Sequence, residues 1–73
     1  MSVVWSRDAE EDWRRLSLAD AERVARAVER WSASGEGFVY AAGPTEYRLV
    51  VDHLVIVFFL DGQNMHVAQV RRA

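Results

Sequence analysis

Apolar residues run unbroken through Leu54-Val55-Ile56-Val57-Phe58-Phe59-Leu60, between Asp52-His53 and Asp61-Gly62. Successive side chains on a strand point to opposite faces. The run therefore predicts a central strand with Leu54, Ile56, Phe58 and Leu60 on one face and Val55, Val57 and Phe59 on the other. A strand apolar on both sides needs cover above and below. On either side of it, Glu46-Tyr47-Arg48-Leu49-Val50-Val51 and Met65-His66-Val67-Ala68-Gln69-Val70 read as partner strands. Asp52-His53 and Asp61-Gly62 are the turns that join them.

The N-terminal half changes period. Val3-Val4-Trp5 predicts a short first strand, and Ser6 an N-cap followed by Asp8, Glu10 and Glu11 in the first turns of a helix. Its apolar stripe is Ala9, Trp13 and Leu16, with Glu10–Arg14 and Glu11–Arg15 at ion-pair spacing. Ser17-Leu18-Ala19-Asp20 resembles a capping box with Asp in the Glu position. After it, Leu18, Ala21, Val24, Ala25, Val28 and Trp31 recur at helical spacing until Gly35. Residues 35–45, with three of the four Gly and the single Pro, read as a connecting loop. The expected order is β-α-α-β-β-β: an α+β domain with a helical hairpin on one face of a small, mostly antiparallel, twisted sheet.

At 73 residues the chain makes one domain, spanning 1–73. The absence of Cys excludes disulfides and thiolate chemistry, and two His without Cys in ligand spacing make no metal site. Neither a signal peptide nor a bilayer-length apolar run is present in the sequence, so a cytoplasmic location is expected. The net charge of −2 argues against a protein that coats nucleic acid. Every basic side chain is Arg, and any phosphate-binding patch must be local, with Arg48 and Arg71-Arg72 its candidates.

The element order resembles that of the RelE/ParE superfamily of bacterial toxin–antitoxin toxins. So do the opening Val4-Trp5-Ser6-Arg7-Asp8-Ala9-Glu10-Glu11-Asp12-Trp13 and the closing pattern Tyr47-Arg48-Leu49, Val57-Phe58-Phe59-Leu60-Asp61-Gly62 and Val67-Ala68-Gln69-Val70-Arg71-Arg72. The resemblance covers about residues 3–72 and rests on pattern rather than on one sharp motif. It implies a type II toxin neutralised by an antitoxin protein. In the RelE branch it implies cleavage of ribosome-bound mRNA without metal or other cofactor, and so inhibition of translation. In the ParE branch it implies a toxin that binds DNA gyrase. The nucleolytic branch carries an Arg early in the third strand of its pattern, where this chain has Leu54.

The endoribonuclease reading assigns catalytic roles to Arg48, His66, Arg71 and Arg72. The alternative is a ParE-like or degenerate member acting as a non-catalytic protein-binding module. His53 and His66 are the only histidines, the residue type suited to general acid–base chemistry near neutral pH; the competing reading makes His53 a turn residue and His66 a solvent-facing strand residue. Arg71-Arg72 reads as a phosphate contact, an antitoxin contact or a solvated tail. Val55, Val57 and Phe59, backed by Val50, form an apolar patch that monomers seldom leave bare. A partner, either the antitoxin or a second copy in a homodimer, is expected to cover it; the competing expectation is that Phe38-Val39-Tyr40 folds over it.

Overall fold

In the computed structural model, which describes residues 1–73, the chain folds in the order β1 (Ser2–Trp5), α1 (Arg7–Arg14), α2 (Leu18–Ser34), β2 (Phe38–Ala41), β3 (Glu46–Val51), β4 (Leu54–Asp61) and β5 (Asn64–Arg72). The five strands make one sheet in the order β1-β5-β4-β3-β2. β1 runs parallel to β5 and every other pair is antiparallel. The predicted α+β plan holds, with one strand more than the sequence pattern gave.

Both helices begin where the caps predict. The Ser6 hydroxyl accepts from the Ala9 N–H at 3.0 Å, and the Ser17 hydroxyl from the Asp20 N–H at 3.2 Å. Each satisfies a donor that has no intrahelical partner. Ser6 also donates its hydroxyl to the Ala68 carbonyl at 3.1 Å, and the Asp12 carboxylate accepts from the Val70 N–H at 3.1 Å. Thus α1 is bolted by polar contacts to β5, at and beyond a β-bulge in the β4–β5 ladder.

That bulge lies where Val57 pairs with Gln69 but Phe58 pairs with Val67, leaving Ala68 as the extra residue. It keeps Met65, Val67 and Val70 all on the helix side, where a regular strand would turn Val70 away. These three join Leu49, Leu54, Ile56 and Phe58 of the sheet and Ala9, Val24 and Val28 of the helices in one core. Trp31 lies against Phe58 with ring centroids 4.7 Å apart, and Tyr47 stacks on Phe58 at 5.6 Å. Trp13 packs edge-on to Trp5 and donates its indole N–H to the Ala21 carbonyl at 2.9 Å, so its polar end is satisfied as it joins the helices.

Several expectations change. The stretch 35–45 is not all loop: Phe38–Ala41 pairs with Val50–Tyr47 as an edge strand. Aromatic and β-branched residues suit a pleated surface, and the flanking glycines mask so short a strand. Gly37, immediately before it, has φ 141°, and a Cβ there would lie 2.9 Å from the Leu49 side chain. Leu18 is 77% exposed because it sits on the first turn of α2, beyond the sheet, and Ala27 rather than Ala25 packs on the core. Glu11 pairs with Arg7 at 3.6 Å instead of with Arg15, which caps the C-terminus of α1, while Glu10–Arg14 forms at 3.5 Å. The second hairpin turns at residues 62–63, with Asp61 still paired to Asn64.

Candidate functional site

The helices cover one face of the sheet, and no element of this chain lies over the other. Phe38 and Tyr40 do not fold across that open face; they widen it, because β2 adds to the sheet edge. Cross-strand register arranges the face in rows, since directly opposed residues share a side. One row reads Phe38, Val50, Val55, Arg71; the next Tyr40, Arg48, Val57, Gln69; the third Glu46, Phe59, His66, Val4.

Val55 and Val57, at 6% and 5% exposure, are nearly closed over by their longer neighbours, whereas Phe59 is half-buried. Long polar side chains shelter short β-branched ones in this way. The predicted patch is therefore a narrow apolar floor with Phe59 as its prominent part. Phe38, at 67% exposure, and Tyr40, at 41%, extend it toward the edge.

Arg48, His66 and Arg71 all belong to this face; Arg72 does not. Arg72 pairs with Leu54 on the helix side, and both line a polar cleft with Asp12, Arg15 and Asp20 at the helix junction, a cleft that Arg71 also borders. Leu54 is 1% exposed within the core. An Arg at position 54 would enter that cleft rather than the open face.

Arg48 is held. Its guanidinium donates to the Glu46 carboxylate from Nε at 3.3 Å and from Nη2 at 3.2 Å. The Tyr40 phenol and the Glu46 carboxylate together raise it above the ordinary arginine range, so it stays charged throughout. Tyr40 and Glu46 are the site residues that the sequence reading missed. The signal for Glu46 was its i,i+2 spacing from Arg48, which puts acid and base on one face; for Tyr40 there was none without the β2 register. His66 lies 3.8 Å from Asp61. From strand spacing, the Cα atoms of Arg48 and Arg71, and of Arg48 and His66, are about 12 Å apart. Arg48, Arg71 and His66 thus ring the apolar floor instead of converging on one atom.

His53 is elsewhere. In the β3–β4 turn, after Asp52 at φ 54°, its Nε2 lies 3.1 Å from Asp20, which also accepts from Arg23 at 2.9 Å; Arg23 reaches Asp52 at 3.5 Å. The cluster clips the turn to the start of α2. Partial burial pushes the Asp20 carboxyl up, but the hydrogen bonds and charges of His53 and Arg23 outweigh it, and the net displacement is below 3.8. A depressed folded-state value stabilises the fold above the unfolded value and is lost as pH falls through the folded one. The thermal midpoint should therefore drop on acidification below pH 3.8, and Asp20→Asn should remove that part of the drop. An unchanged acid limb in the variant would show that the clip contributes nothing.

No group of His, Cys, Asp and Glu is placed to hold a metal ion, and no helix is long and apolar enough to cross a membrane. No family model matches the sequence, and no curated protein matches it. Solved structures do match. A chain of the intact E. coli RelBE toxin–antitoxin complex superposes with a TM-score of 0.81 at 15% identity, covering 99% of this chain and 95% of that one. The YoeB–YefM complex from Staphylococcus aureus gives 0.79 at 14%, covering 100% and 97%. The chromosomal ParDE system from P. aeruginosa gives 0.66 at 17%, covering 100% and 96%. The chain has the fold of the RelE/ParE toxins.

Proposed function

We propose, with that fold as the premise, that the chain is the toxin half of a type II toxin–antitoxin pair and that the open sheet face is its working surface. The observation that supports this reading is the face itself: Val55, Val57 and Phe59, ringed by Arg48, Arg71 and His66, with no helix or strand of the chain laid across them. An apolar floor with a cationic rim suits an amphipathic, acidic segment of an antitoxin protein. Toxicity follows from the same face when it is uncovered, by binding a target enzyme or ribosome-bound mRNA.

The spacing of the cations and the engagement of Arg48 by Glu46 favour action through binding. A second reading, cleavage of mRNA, draws support from the third row, where Glu46 and His66 flank Phe59 with Cα atoms roughly 10 Å apart. In that reading Glu46 takes the 2′-OH proton as the 2′-oxygen attacks phosphorus. Arg48 steadies the phosphorane charge, and His66, as the general acid, gives a proton to the departing 5′-oxygen.

Inducible expression should arrest growth, and co-expression of the protein encoded beside the toxin should restore it. Normal growth with folded, soluble protein accumulating would refute the toxin reading. Phe59→Glu should weaken the antitoxin complex by about 30-fold or more, the scale of a central interface residue, with a change in stability below about 1 kcal/mol. Unfolding of the isolated domain by that substitution would instead assign Phe59 to the core.

A further inference from the structure

The outer edge of β2 is the least defended part of the molecule. Natural sheets blunt their edges with charge, proline, bulges or a covering element. Here no charged residue occurs between Glu36 and Glu46, Pro44 falls beyond the strand, β2 pairs with β3 without a bulge, and β2 ends the sheet. The opposite edge, β1, is by contrast followed at once by Arg7 and Asp8.

Backbone register specifies what the edge can hold. The Ala42 N–H donates to the Glu46 carbonyl at 2.9 Å, and Tyr40 opposes Arg48 as Phe38 opposes Val50. An antiparallel ladder alternates bonded and non-bonded pairs. Residues 38, 40 and 42 therefore spend their N–H and C=O groups on β3, and Val39 and Ala41 turn theirs outward. Unpaired main-chain groups of this kind are a template for another strand.

We propose that β2 pairs with β2 of a second copy of this chain, antiparallel about a two-fold axis through Tyr40. In this register Val39 faces the partner subunit's Ala41, and Ala41 faces the partner subunit's Val39. Four hydrogen bonds form, and every outward group of the strand is used. Tyr40 meets the partner subunit's Tyr40 on the open face, extending the aromatic contact that Tyr40 already makes with Phe38 at 6.3 Å. A two-fold axis sets each residue near its own copy, so a charged edge would repel itself; this one carries no charge to do so. The open faces of the two copies become one surface. The contact is small, and the dimer is accordingly a weak, concentration-dependent one. The proposal is independent of the toxin reading.

Equilibrium sedimentation of the full chain over a concentration series should show a monomer–dimer equilibrium. Hydrogen exchange at the Val39 and Ala41 amides should slow as the dimer forms. Ala41→Pro deletes an outward donor while sparing the β3 ladder, and because the contact is symmetric it removes two of the four bonds. It should raise the dissociation constant about tenfold or more with an unchanged circular dichroism spectrum. If that variant misfolds, Tyr40→Glu serves: it should be monomeric at neutral pH and dimerise again below the usual carboxylate pKa of about 4.3. A monomer at every concentration, or a dimer that survives both substitutions, overturns the proposal. So does protection of the two amides only when the antitoxin is added, which would give the edge to an antitoxin strand.

Discussion

Phe58→Ala is expected to remove a large share of the domain's stability at room temperature. Phe58 has no solvent exposure and holds Trp31 of α2 at 4.7 Å and Tyr47 of β3 at 5.6 Å. It is the side chain through which the helical layer meets the centre of the sheet. Truncating a buried Phe costs about 3–5 kcal/mol in lost transfer energy and cavity. A 73-residue domain commands roughly 4–11 kcal/mol at 0.05–0.15 kcal/mol per residue. Urea denaturation followed by tryptophan fluorescence would show the midpoint falling in proportion to the stability lost. A loss below about 1.5 kcal/mol would mean that the Trp31 and Tyr47 rings close over the gap and that the core is plastic. The neighbouring Phe59 faces the other way, so one step along β4 separates a core residue from one on the open face.

Arg48→Ala should lower RNA cleavage by about 10²–10³ if the protein is a nuclease, the scale of losing one donor that stabilises transition-state charge. Arg72→Ala should leave the rate within a factor of a few, because Arg72 stands in the helix-junction cleft on the opposite side of the sheet. Single-turnover cleavage of ribosome-bound mRNA, with folded protein confirmed for each variant, separates the two. Equal losses from both would remove the open face as the catalytic surface. No cleavage by the wild type, together with growth arrest in cells, would leave toxicity by binding.

The helical hairpin was legible because its signals are local. Ser6 and Ser17 cap, Gly35 terminates at φ 76°, and the stripe through Ala21, Val24 and Val28 repeats at helical spacing. The β4 run announced itself by length and composition. What escaped was non-local. β2 holds four residues and owes its existence to Val50–Tyr47 opposite it. The parallel pairing of β1 with β5 joins the two ends of the chain, and no residue nearby encodes it.

The site was half legible for the same reason. Alternation alone placed Arg48 opposite Leu49 and grouped Val55, Val57 and Phe59. It could not reveal that Tyr40 would stand beside Arg48, nor which of the last two arginines would join them. That choice depends on a bulge at Ala68, a residue whose side chain gives no warning of one.

A bulge is a matter of parity. With Ala68 counted out of the ladder, Arg71 lands among the open-face residues and Arg72 among those near the helices. Were the strand to straighten and count every residue, the two would exchange sides. Having arginine at both positions makes the outcome redundant: whichever way the strand counts, one arginine holds an open-face position and its twin a helix-side one. The doubled residue thus insures the surface charge against a one-step slip. Removing Ala68 outright would restore an unbroken alternation and still deliver Arg71 to the same side, at the expense of the Ser6 hydroxyl's anchor on the Ala68 carbonyl.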